Sequence, residues 1–196
     1  MIERYAVVLA GKIKKWNPEE TAPQDVLIFG FTIMLNLFST MLLLFVAGFI
    51  IGKPFEVVAI AVSFMVMRLL TGGPHFNNAI VCSLCSTLLM IVGDYLPITY
   101  KTLIFYTIAA VFLFVRYAPF YEPDQVVHTK SWERKKKNLA FCLLGFSSLL
   151  AFVFHFHVFL IGVFLQSVTI IPFVIKCIHR LNDGLKGGEK YEKSDC

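Results

Sequence analysis

The apolar residues of this chain fall in long blocks separated by short polar connections that carry glycine and proline. A helix needs about 20 apolar residues to cross the hydrocarbon core of a bilayer. Residues 26–52 exceed that and predict a tilted span. The blocks 55–70 and 79–93 are shorter, 16 and 15 residues, and enclose Thr71-Gly72-Gly73-Pro74-His75-Phe76-Asn77-Asn78. Residues 102–115 make a full span once Pro97 to Tyr100 are included, and 139–178 holds two spans with a tight turn near His155 to His157. The pattern predicts about six crossings. One alternative keeps the same parity: the 55–70/79–93 pair as a re-entrant hairpin. Ahead of the first span, Ile2, Tyr5, Ala6, Leu9, Ile13 and Trp16 recur at helical spacing, with Arg4, Lys12 and Lys15 elsewhere. That predicts a basic amphipathic helix, either lying on the inner leaflet or packed on the bundle.

Composition agrees. Of the 196 residues 57% are hydrophobic and 16% charged, with 20 Phe, and the mean hydropathy is +0.71. The apolar fraction exceeds, and the charged fraction falls below, those of soluble domains, which excludes an ordinary soluble domain and a disordered chain. The expected fold is all-α: a polytopic membrane helical bundle. The expected organisation is an N-terminal interfacial segment (1–25), one membrane domain (26–180) and a polar, mobile cytoplasmic tail (181–196). Of the 18 Lys and Arg, only Lys53 and Lys101 fall on one side of such a topology, leaving 16 on the other. The positive-inside rule then places both termini in the cytoplasm. The net charge of +5 reads as loop cations meeting anionic lipid headgroups, with no nucleic-acid partner. The five cysteines match no secreted disulfide framework and are expected as free thiols. No cleavable signal peptide is visible at the start.

The stretch from Arg68 to Cys85 concentrates chemistry: an Arg, a His and two thiols between two membrane segments, where polar groups are costly and usually functional. A thiol becomes a nucleophile as its thiolate, and His is the usual base. Were 75–82 one straight helix, His75 and Cys82 would stand about 10.5 Å apart along its axis, too far to pair. Gly72, Gly73 and Pro74 argue against a helix there, and Asn77 or Asn78 is a good N-cap. Cys82 then lies in or just past the first turn of a helix whose N-terminal partial charge favours a thiolate, with His75 free to fold back over it. Two readings stay open: a Cys/His catalytic pair, or a loop histidine and a packing cysteine. Cys85 is a second thiol or a packing residue. Zinc on His75, Cys82 and Cys85 lacks an evident fourth ligand, and neither a metal nor a cofactor is expected. Cys142 and Cys177 read as core, His155 and His157 as an interfacial pair, and Asp94 as a membrane exit. Asn36 and Gln166 fall within spans, where such groups hydrogen-bond between helices; Gln166 is also a candidate to orient a catalytic group. The run Arg134-Lys135-Lys136-Lys137 is either a lipid-contact and stop-transfer cluster or a dock for an acidic peptide segment.

Together these features resemble the AgrB family, the accessory gene regulator membrane endopeptidases of Gram-positive quorum sensing. The resemblance rests on Arg68, on Gly-Gly-x-His (Gly72, Gly73, His75) followed after six residues by Cys82, on Tyr117-Ala118-Pro119, on the basic run ahead of the fifth span, and on Thr169-Ile-Ile-Pro172. It covers about residues 25 to 180. Phe76 stands where the family often has Ala, and Gln166 where some members have Glu. The resemblance implies a cell-membrane, multi-pass cysteine endopeptidase acting on an AgrD-type precursor peptide, with membrane lipids as further partners and a homodimeric state. It implies catalysis by His75 and Cys82, supported by Arg68, Gly72, Gly73, Gln166, Lys135, Lys136 and Lys137. The competing classes are a small transporter lined by Arg68, Asn36 and Gln166, and a metal-dependent membrane enzyme.

Overall fold

A computed structural model describes residues 2–17, 21–74, 76, 78–120 and 130–192. Among them are eight helices and no strand. They are α1 (Ile2–Trp16), α2 (Gln24–Ile50), α3 (Pro54–Thr71), α4 (Ala79–Asp94), α5 (Tyr100–Tyr117), α6 (Lys130–Val153), α7 (Val158–Thr169) and α8 (Pro172–Glu192). Each apolar block read from the sequence is helical. By length and composition α2, α3, α5 and α6 can each cross a bilayer. The α7–α8 pair, bent by 70°, makes a fifth candidate span. α4, with 16 residues, is about 24 Å long against a core of about 30 Å.

The helix boundaries follow local chemistry. Pro54 starts α3 at a position where its missing N–H costs nothing. Thr99 and Thr102 form a reciprocal capping box at the start of α5. The turn expected near His155 to His157 occupies 154–157, with His155 at φ +56° and the His157 ring Nδ1 3.2 Å from the His155 carbonyl. α7 then ends after 12 residues, and Pro172 opens α8 in a new direction.

α7 is the hub. It packs on α3, α4, α5 and α6, and nine of its residues are buried. Its closest approach is to α3, where a Cβ on Gly162 would meet Ser63 Oγ and the Ile60 carbonyl. Without a hydrophobic drive between helices in lipid, such small residues let backbones approach and gain dispersion contact. On one side of α7, Met67, Tyr106, Phe114, Leu144 and Val163 form one buried cluster. On the other, Leu44, Ile60, Phe64, Met90 and Ile161 form a second.

α1 packs against α2 through Ala6 and Ala10, both fully buried, while Tyr5 and Trp16 stay exposed. Of these two alanines, Ala6 belongs to the stripe read from the sequence and Ala10 lies outside it. The segment beyond Leu181, expected to be a mobile tail, continues α8 to Glu192. The basic run lies within the first turns of α6, since that helix starts at Lys130.

Candidate active site

The site is built where α3 ends. Gly72 takes φ +74°, a left-handed conformation that glycine adopts without the Cβ penalty, and its N–H donates to the Arg68 carbonyl at 2.8 Å. The chain then passes alongside the segment after α5. The Phe120 N–H donates to the Thr71 carbonyl at 2.8 Å, Gly72 and Phe120 pair as an isolated parallel bridge, and a Cβ on Gly72 would fall on the Phe120 carbonyl. Only glycine fits there, for both reasons.

A buried amide holds the loop from the other side. Gln166 is fully buried in α7. Its Nε2 donates to the Gly72 carbonyl at 2.6 Å and to Thr71 Oγ1 at 3.0 Å. Thr169 Oγ1 donates to the Gln166 main-chain carbonyl at 2.8 Å and lies 3.1 Å from the amide Oε1. Arg68 reaches forward one turn and donates to the Pro74 carbonyl. A Cβ on Gly73 would come within 3.2 Å of Arg68 Nη1 and 3.4 Å of Gln166 Nε2, so Gly73 lies between the two side chains. Thr71 to Pro74 are thus held by α3, α7 and the segment following α5.

On the far side of this connection Asn78 caps α4, as its residue type predicts. Its Oδ1 accepts from the N–H of Ile80 at 3.0 Å and of Val81 at 3.4 Å, and its carbonyl accepts from the Cys82 N–H at 3.0 Å. Cys82 therefore sits at the end of the first turn, half-buried and free, whereas Cys85 is exposed. The first-turn amides of Ile80, Val81 and Cys82 are already partnered by Asn78. His75 and Asn77 lie outside the described residues, and with them the expected His75–Cys82 contact.

Next to Cys82, Ser83 turns towards α2. Its hydroxyl donates to Asn36 Oδ1 at 3.2 Å and lies 2.7 Å from Thr40 Oγ1. Asn36 is thus an interhelical group on the α2–α4 interface, apart from the Arg68–Gln166 cluster. The basic run divides as well. Lys135 is exposed, Lys136 and Lys137 half-buried. Lys137 Nζ donates to the carbonyls of Val115 at 3.3 Å and Ala118 at 3.2 Å. Cys142 and Cys177 are free. Among the described residues no three His, Cys, Asp or Glu side chains converge as metal ligands would.

Four sequence features that are far apart in the chain meet here: Arg68 to Gly73, the Tyr117-Ala118-Pro119 segment, Lys137, and Gln166 with Thr169. Sequence reasoning missed Thr71, Phe120 and the separate behaviour of Lys137. The contacts of Phe120 run through its backbone, which leaves no trace in residue type.

The sequence matches the family model described as accessory gene regulator B (AgrB) over residues 6–170. It is 40% identical to an AgrB-like protein of Halalkalibacterium halodurans over 196 residues, covering 99% of this chain and all of that protein. No solved structure matches it.

Proposed function

The chain belongs to the accessory gene regulator B family, whose members are associated with processing AgrD-type precursor peptides, and from that premise we propose that it is a cell-membrane cysteine endopeptidase and cyclase. The observation that carries this reading is the convergence of Gln166, Arg68 and Phe120 on the four residues before His75, immediately ahead of a capped helix bearing Cys82. Nucleophilic catalysis by a thiol requires a base within reach of it, and His75 directly follows the held residues in sequence.

In this mechanism His75 takes the proton from Cys82. The thiolate attacks the carbonyl preceding the precursor's acidic tail, and the tetrahedral intermediate collapses as His75 returns the proton to the leaving amine. The tail departs and Cys82 holds the peptide as a thioester. The precursor's own cysteine thiol then attacks that thioester, yields a cyclic thiolactone and regenerates Cys82. No water is consumed. Exchanging an amide for a thioester is uphill, so departure of tail and product must draw the reaction forward, and water must be kept from the acyl-enzyme. The amides of Ile80, Val81 and Cys82 are spent on Asn78 and that of Gly72 on the Arg68 carbonyl, so none of these four receives the oxyanion. Arg134 and Lys135 supply charge for the acidic tail, and the enzyme works as a homodimer at the inner leaflet.

The test is tail release, read by mass spectrometry, from an AgrD-type precursor by the full chain in nanodiscs. Cys82→Ser and Cys82→Ala abolish release, and Cys85→Ser retains it. Iodoacetamide alkylates Cys82 more slowly in His75→Gln than in the wild type, because the thiolate is the reacting form and the variant lacks the base that takes its proton. Release by Cys82→Ser, or identical alkylation profiles with and without His75, overturns the assignment.

A further inference from the structure

We propose that Lys137 is a positioning residue for the Gly72–Pro74 loop: it closes the end of α5 and so holds the Ala118–Phe120 segment against that loop. The inference rests on the peptidase reading above and assigns one residue of the basic run a different task from its neighbours.

The end of α5 lacks a hydrogen. In a continuing helix the Val115 carbonyl would accept from the N–H of residue 119, but residue 119 is proline and has none. The preceding bond of the ladder is intact, with the Ala118 N–H on the Phe114 carbonyl at 3.1 Å. The Val115 carbonyl is instead met by Lys137 Nζ at 3.3 Å, and the same ammonium takes the Ala118 carbonyl at 3.2 Å. A cation at a helix C-terminus also suits the partial negative charge there. Lys137 thus replaces the donor that Pro119 removed and ties the second turn of α6 to the end of α5.

Two residues after Ala118 comes Phe120, whose N–H is on the Thr71 carbonyl at 2.8 Å and whose backbone pairs with Gly72. The same Gly72 carbonyl takes the Gln166 amide. A rigid path therefore runs from Lys137 through three residues of backbone to the loop that precedes His75. Lys135 has no place on it, being exposed on another face of α6.

The test uses the full chain in nanodiscs with Lys137→Met and Lys135→Met. In Lys137→Met, deuterium uptake at the Phe120 amide rises. The iodoacetamide rate at Cys82 without precursor falls about tenfold, the scale of a lost charge-assisted hydrogen bond. kcat for tail release falls with it, KM stays within about twofold, and neither change responds to salt. Lys135→Met instead raises KM, and added salt shrinks the difference because screening acts on exposed charge. If Lys137→Met is not monodisperse, Lys137→Gln, which keeps an N–H donor without the charge, takes its place and must retain protection at Phe120. Unchanged uptake at Phe120 in Lys137→Met, lost protection there in Lys137→Gln, or a Lys137→Met variant that only raises KM in a salt-dependent way, overturns the proposal. Exchange at Phe120 needs no catalysis, so its outcome stands even if Cys82→Ser still releases the tail and the peptidase reading itself falls.

Discussion

Gln166 illustrates how one side chain carries a loop inside a membrane protein. Its amide nitrogen donates to Gly72 and Thr71, Thr169 Oγ1 lies 3.1 Å from its carbonyl oxygen, and it has no exposure to solvent. In hydrocarbon-like surroundings a lost partner is not replaced by water. Gln166→Leu, close in volume, leaves the Gly72 carbonyl without its amide donor at a cost of about 1–3 kcal/mol. The expected outcome is a lower thermal midpoint in detergent together with slower Cys82 alkylation, since the loop loses its α7 anchor. A lowered midpoint with alkylation unchanged would confine Gln166 to stability.

Among the elements, α7 shows why small residues matter where helices cross. Gly162 lets α7 approach α3 so closely that a Cβ would meet Ser63 Oγ, the Ile60 carbonyl and the Phe64 N–H. Two of those atoms are backbone and cannot swing aside. Gly162→Ala therefore separates the two helices and costs about 1–3 kcal/mol, as overpacking does. Gly145→Ala in α6, where a Cβ meets nothing within 4 Å, stays within about 0.5 kcal/mol. Comparing the thermal midpoints of the two variants checks this. Equal midpoints would mean that the α3–α7 crossing has slack.

For the whole molecule, the end opposite the Gly72 loop is joined by an ion pair. Lys53, in the α2–α3 turn, donates to Asp94 Oδ2 at the end of α4 at 2.9 Å, with Tyr95 beside it. The hydrogen bond to Asp94, then its charge, raises the Lys53 pKa above the usual 10.5. A raised folded-state value means that the pair contributes fully below 10.5 and loses its contribution as pH climbs through the folded-state pKa. Asp94→Asn is thus expected to lower the thermal midpoint at neutral pH, and the gap to wild type should close well above pH 10.5. A gap that is constant with pH would show that the pair does not couple α2–α3 to α4.

Much of this was legible in the sequence because the bilayer imposes a one-dimensional rule. A helix must satisfy its own backbone in lipid, so runs of apolar residues declare their helices. Gly72, Gly73 and Pro74 argue against a helix at their own positions, and the sequence offers Asn77 or Asn78 as the cap for the helix that carries Cys82, of which the structure uses Asn78. That Gly72 turns left-handed was settled by the fold. Other features also lay beyond the one-dimensional rule. The bend after α7, the choice of Ala6 and Ala10 as the α1 contact, and the helical run past Leu181 depend on neighbours that composition does not name. The partition of Arg134 to Lys137 was hidden for the same reason: four adjacent cations look alike until the fold brings one of them to the carbonyl that Pro119 left without a donor. Tertiary structure alone decided that Gln166, 94 residues from Gly72 in the chain, would be the group that holds it, because hydrogen bonds across helices are specified by packing and not by sequence spacing.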